Sequence, residues 1–114
     1  MPFNEICKTE TFYATLHIAG SYEDALHFCK KYSYCHGSCF QVSRCVYQYT
    51  GGTEDGITVR IIDYPRFPKD HYEILKTFSD FSCALAKELC QKSFTIESTL
   101  GTKYFESDDP LHTK

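Results

Sequence analysis

The chain has 114 residues, a formal net charge of −3 and seven cysteines, in a composition that is otherwise ordinary for a globular protein, 42% hydrophobic and 24% charged. That length holds one domain with a single modest core. The negative balance argues against a duplex-DNA binder, which needs Lys and Arg to displace counterions from phosphates, and no apolar run approaches the ~20 residues that span a bilayer.

Met1-Pro2-Phe3-Asn4-Glu5 has neither the basic start nor the apolar stretch of a secretion signal, so a cytoplasmic protein is expected. An odd cysteine count without such a signal favours reduced thiols over a disulfide framework. Cys29, Cys83 and Cys90 fall inside helical patterns, where a thiol acts as a small hydrophobe. Nine Tyr and nine Phe with no Trp raise the aromatic share to 16%. Tyr in that number points to amphipathic surface as well as core, because the ring packs while the hydroxyl seeks a partner.

Residues 12–19 alternate strictly. Phe12, Ala14, Leu16 and Ile18 face one way and Tyr13, Thr15 and His17 the other, which marks a half-buried strand. Gly20 ends it. Ser21 reads as the N-cap of a helix over about 21–33, with Glu23 and Asp24 where carboxylates favour the helix dipole. Tyr22, Ala25, Leu26, Cys29 and Tyr32 form its apolar stripe. A second strand runs over 39–50, with Phe40, Val42 and Val46 on one face and Cys45, Tyr47 and Tyr49 on the other. Residues 50–56 carry turn chemistry in Gly51, Gly52 and Asp55-Gly56. They join a third strand over 57–64, with Ile57, Val59 and Ile61 inward and Thr58, Arg60, Ile62 and Tyr64 outward.

The segment Tyr64-Pro65-Arg66-Phe67-Pro68 stops that strand, since proline donates no ladder bond and holds its neighbour extended. Asp70 caps a second helix, with Glu73 three residues on as in a capping box. Ile74, Leu75, Phe78, Phe81, Leu85 and Leu89 then keep helical spacing for about five turns. Residues 93–98 alternate again, with Phe94 and Ile96 inward. Residues 103–106 can return as a short fifth strand, and 107–114 read as a polar tail.

This order is the ferredoxin-like βαββαβ plan of the α+β class. It predicts a four-stranded antiparallel sheet, with both helices on one face because crossovers are right-handed. Strands one and three are central. The opposite face is left uncovered. It is rich in Tyr, with His17 and Arg60 on the central strands, and such a face stands wet or binds something.

Three features carry candidate chemistry. On the open face, Tyr13, Tyr47 and Tyr64 could stack on RNA bases with Arg60 on a phosphate, but the acidic balance and the missing aromatic-basic motif argue against a nucleic-acid partner. His17 with Tyr47 or Arg60 could instead supply acid-base chemistry in a pocket; the plain alternative is a contact surface. Cys29, Cys35, His36 and Cys39 have zinc-ligand types, yet lack a second close pair, so structural thiols are expected and Cys35, His36 and Cys39 stay an outside candidate for metal. Arg66, between two prolines, could present a guanidinium to an anion, or the loop could be a simple stop with Phe67 packed inward.

In Tyr49-Thr50-Gly51-Gly52, Tyr64-Pro65-Arg66-Phe67-Pro68 and Ser93-Phe94-Thr95-Ile96, the chain resembles a family of small conserved proteins of T-even-type tailed phages, over residues 12–106. The seven cysteines are not part of that pattern. The resemblance implies an accessory protein made in an infected bacterial cell, and it brings no set of catalytic residues. The resulting expectation is a non-enzymatic viral accessory protein, homodimeric and without cofactor, that binds a host protein through Tyr13, His17, Tyr47, Arg60, Tyr64 and Arg66. The alternative is a small-molecule or nucleotide binder, or a minor enzyme, using the same face.

Overall fold

The first strand is the hub of the molecule. In the structure, a computed structural model that describes residues 2–8, 10–36, 38–62 and 70–108, β1 (Ala14–Ala19) is the middle strand of an antiparallel five-stranded sheet. Its strand order is β2-β3-β1-β4-β5, with β2 Phe40–Tyr49, β3 Gly52–Ile61, β4 Ser93–Ser98 and β5 Gly101–Glu106. The run β2-β3-β1-β4 is the ferredoxin-like arrangement, and β5 adds a strand outside β4. The expected short return is thus a full six-residue strand paired along β4 from Ser98↔Gly101 to Ser93↔Glu106.

Alternation along β1 puts Ala14, Leu16 and Ile18 into the core, joined by Ile57 and Val59 of β3 and Phe94 and Ile96 of β4. Both helices, α1 (Tyr22–His36) and α2 (His71–Glu88), cover that face. α2 contributes Ile74, Leu75, Phe78, Phe81 and Leu85, and α1 contributes Ala25 and Cys29. An aromatic stack locks the helices to β2: Phe40 lies 4.2 Å from Phe81 by ring centroid, and Tyr32 meets Phe81 edge-on at 4.9 Å. Such pairs add about 0.5–1.5 kcal/mol each beyond the area they bury.

The helix ends are capped by the residues expected. Ser21 Oγ accepts from the Asp24 amide at 3.2 Å, and the Asp70 carboxylate accepts from the Glu73 amide at 3.2 Å. At the C-terminus of α2 the amide of Gln91 donates to the Ala86 carbonyl and that of Cys90 to the Lys87 carbonyl, with Cys90 at φ +57°. This is a Schellman closure with a non-glycine residue in the left-handed position. Cys90 therefore sits past the helix, not inside it.

Other boundaries move for physical reasons. The chain reverses at Thr50-Gly51, Gly51 taking φ +87°, and β3 starts at Gly52. The segment 52–56, read as turn, is strand. The β2–β3 ladder runs on to Tyr49↔Gly52, whereas β1 ends at Ala19 opposite Gly56. The far end of this hairpin overhangs the sheet, so Val46, expected inward, is 57% exposed. Leu26 is likewise on the outer side of α1, and Phe28 takes its place against the core. The loop holding Tyr64, Arg66 and Phe67, and most of the polar tail, lie outside the described residues. No described helix is long and apolar enough to cross a membrane.

Candidate functional site

The uncovered face of the sheet gathers side chains from β1, β2 and β4 into one hydrogen-bonded chain. The register pairs His17 with Thr58 of β3 and Thr95 of β4, and Thr15 with Arg60 and Glu97. Side chains facing one another across strands point to the same side. Glu97 is therefore a diagonal neighbour of His17, and His17 Nε2 lies 3.1 Å from its Oε1. On the other side His17 Nδ1 is 2.9 Å from the Tyr47 hydroxyl. A carboxylate only accepts, so Nε2 carries the proton; in the neutral imidazole Nδ1 then accepts from the Tyr47 O–H.

Tyr47 reaches His17 only by crossing Gly56. Their rings meet edge-on, 5.9 Å apart by centroid, and a Cβ built on Gly56 would collide with the Tyr47 ring. A glycine inside a strand that admits such an approach is a recognisable device. Burial first, then a hydrogen bond with Cys45 and the charges of Cys45 and Glu54, push the Tyr47 phenol up from its ordinary value. Tyr47 thus stays a hydroxyl and acts as a donor, not as a phenolate base.

Beside this chain opens a cleft of about 870 Å³. Its walls are the overhanging hairpin (Tyr47, Glu54), the end of β1 (His17 to Gly20), and Gln91, Ser93, Thr95 and Tyr104 from the far side. Gly20, at φ +126°, turns the chain from β1 into α1 at the cleft edge. Among the described residues the lining includes the Glu54 carboxylate, the His17 imidazole and the Tyr47 and Tyr104 rings, and neither Lys nor Arg. These groups suit a cationic or neutral ligand, because none of them carries the permanent positive charge of a Lys or Arg for a phosphate.

Of the residues expected to form a site, His17 and Tyr47 come together and define it. Tyr13 and Arg60 form a separate pair, the guanidinium 5.3 Å from the ring centroid, on the next row of the same face. Tyr64 and Arg66 lie outside the described residues. The outside metal candidates stay apart from the cleft. Cys35 and His36 are in the last turn of α1, where the His36 ring stacks on Tyr32 at 4.0 Å and its Nδ1 lies 3.2 Å from the Tyr32 carbonyl. Among the described residues no three His, Cys, Asp or Glu converge as metal ligands. Glu97 and Glu54 complete the site. The alternation of β4 puts Glu97 on this face, but nothing local pairs it with His17. Glu54 sat in a segment read as turn.

No family model matches the chain, and no curated protein does. Solved structures do. A phage SAM lyase in complex with S-methyl-5'-thioadenosine matches with a TM-score of 0.66 at 16% identity, covering 93% of this chain and 97% of that chain. A phage SAM lyase in its apo state matches at 0.59 and 16%, covering 86% of this chain and 90% of that one. The shared fold overturns the expectation of a non-enzymatic accessory protein that binds a host protein. The chains built this way over nearly their full length are an enzyme, and one of them holds a small thionucleoside. The small-ligand alternative fits these neighbours better.

Proposed function

We propose that the chain is a small enzyme that binds S-adenosylmethionine in the cleft beside His17 and cleaves it as a lyase, releasing S-methyl-5'-thioadenosine. The observation that carries this reading is the cleft lining: a carboxylate, Glu54, and aromatic rings, with neither Lys nor Arg among the described residues, in a fold shared with a phage SAM lyase. The sulfonium of S-adenosylmethionine is a cation, and cations settle against carboxylates and aromatic faces. Tyr104, 63% exposed at the rim, offers a ring for a purine to stack on.

Removing S-methyl-5'-thioadenosine from S-adenosylmethionine breaks the bond from sulfur to the γ-carbon. The bonding pair passes to sulfur and discharges the sulfonium. A lyase adds no water, so the γ-carbon is satisfied within the four-carbon fragment: an oxygen of its own carboxylate bonds to the γ-carbon as the carbon–sulfur bond breaks, closing a five-membered lactone. Both ring nitrogens of His17 are already engaged, and Tyr47 remains protonated. The role of the Tyr47–His17–Glu97 chain is therefore to hold the imidazole at a fixed angle as a polar wall, with no reorganisation during the reaction. Under this reading the protein works in the cytoplasm of a phage-infected cell.

The test is direct. Purified protein is incubated with S-adenosylmethionine, and the mixture is resolved by chromatography with mass detection. S-methyl-5'-thioadenosine should accumulate in step with substrate loss, faster than in a protein-free control. If neither product formation nor calorimetric binding of S-adenosylmethionine is found, the reading is wrong.

A further inference from the structure

We propose that the row Arg60–Thr15–Glu97, next to the cleft on the open face, is a clamp for the zwitterionic α-amino-acid end of the ligand. It rests on the function proposed above, and accounts for the half of S-adenosylmethionine that the cleft lining leaves without partners.

Thr15 pairs with Arg60 on β3 and with Glu97 on β4, so the three side chains rise from one row on one face. Arg60 and Glu97 stand two strand spacings apart, about 10 Å between Cα atoms. The guanidinium lies over the Tyr13 ring, which steadies its plane, and among the described residues it forms no ion pair. Glu97 engages His17 through Oε1.

Between them sits a costly group. Thr15 is only 6% exposed, and among the described residues its hydroxyl has no hydrogen-bond partner. A buried hydroxyl left unpaired destabilises a fold, and an apolar residue of the same shape removes that penalty. Valine has this shape and suits a strand equally well. A threonine here makes sense if a ligand supplies the missing partner. A ligand carrying both charges fits the row: its carboxylate on the Arg60 fork, its ammonium on Glu97, and a third bond from Thr15. One two-residue step along β1, about 6.7 Å, separates this row from His17. An amino-acid head here leaves the sulfonium near His17 and the nucleoside in the cleft beyond.

The test compares wild type, Arg60→Met and Thr15→Val by calorimetry with two ligands. S-methyl-5'-thioadenosine carries the nucleoside and lacks the amino-acid end; S-adenosylmethionine carries both. Arg60→Met should weaken S-adenosylmethionine by about ten- to hundredfold, the loss of a charged hydrogen-bond pair, and leave S-methyl-5'-thioadenosine unchanged. Thr15→Val should melt at a higher temperature than wild type yet bind S-adenosylmethionine more weakly, a combination that a packing defect does not produce. Melts of both variants verify that they fold. If both leave the ratio of the two affinities at its wild-type value, the clamp is overturned while the proposed function stands. A wild-type protein that binds neither ligand overturns the proposed function, and the clamp with it.

Discussion

The Tyr47 ring lies across Gly56, so close that a Cβ on Gly56 would overlap ring carbons Cδ2 and Cε2. The register places Gly56 opposite Cys45 and Tyr47 opposite Glu54, so the phenol leans diagonally back over the glycine toward β1. It arrives 2.9 Å from His17 Nδ1. Gly56 thereby supports the Tyr47 ring from below, a position where the absence of a side chain matters more than backbone freedom.

Gly56→Ala should displace the Tyr47 ring and break its bond to His17. Forcing a methyl into an occupied site destabilises by about 1–3 kcal/mol, readable from urea denaturation, and cleavage of S-adenosylmethionine should fall with it. In a Tyr47→Ala background the ring is gone and the new methyl makes an ordinary contact with the Ile18 carbonyl oxygen at 3.4 Å, so the penalty should shrink or vanish. Groups in contact are non-additive in this way. Strictly additive penalties would mean that the glycine serves something other than the ring.

Tyr47→Phe keeps the ring over Gly56 and removes only the hydroxyl. His17 Nδ1 then loses its partner. The stability loss should be small, about 0.5–1.5 kcal/mol, typical of one hydrogen bond. The rate of cleavage should fall about tenfold or more, because a loosened imidazole no longer holds its angle, and each 1.4 kcal/mol of transition-state stabilisation is tenfold in rate. Nitrogen chemical shifts of His17 should change in the same variant. An unaltered rate would confine the Tyr47–His17 bond to architecture.

How much of this was readable beforehand follows from how local each signal is. The alternation of β1 and the spacing from Ile74 to Leu85 each record one buried face, and the structure buries those faces. The caps at Ser21 and Asp70 are equally local. The hairpin misled because Thr50-Gly51-Gly52 and Asp55-Gly56 both carry turn chemistry, and only one turn is needed. Once Thr50-Gly51 reverses the chain, Gly56 is free to lie inside β3 beneath an aromatic ring. His17 and Tyr47 were readable as members of one face. Their contact with each other spans 30 residues, and that with Glu97 spans 80; both depend on strand register, which no short window contains.

Alkaline conditions should unfold the protein by a titration with a defined sign. Burial pushes the Cys29 thiol from 9.0 up to about 11. Burial also raises Tyr32, Tyr47 and Cys83, with Asp80 adding to the effect on Tyr32 and Cys83. For each group the folded state holds its proton more tightly than the unfolded chain. Their contribution is complete below the unfolded values and is lost as pH rises through the folded ones. Stability should therefore be level below about pH 9 and fall through pH 11, as measured by urea midpoints across that range. Cys29→Ala should flatten the first part of the decline. Cys29 should also resist alkylation in the native state, because only a thiolate attacks.

Glu54→Gln tests whether charge, or shape alone, selects the ligand. Glu54 stands opposite Tyr47 on the overhanging hairpin and lines the cleft, with neither Lys nor Arg beside it among the described residues of the lining. The substitution preserves size and removes one negative charge. An exposed carboxylate acting through water contributes modestly, about 0.2–1 kcal/mol, so S-adenosylmethionine should bind a few-fold more weakly. S-methyl-5'-thioadenosine has the same nucleoside but a neutral sulfur, and its affinity should not move. Raising the salt concentration should erase the difference between Glu54→Gln and wild type, since screening over about 10 Å at 0.1 M ionic strength reaches an exposed charge. If both ligands weaken equally, Glu54 acts through the shape of the hairpin. If only the cation responds, and only at low salt, the cleft recognises the sulfonium by its charge.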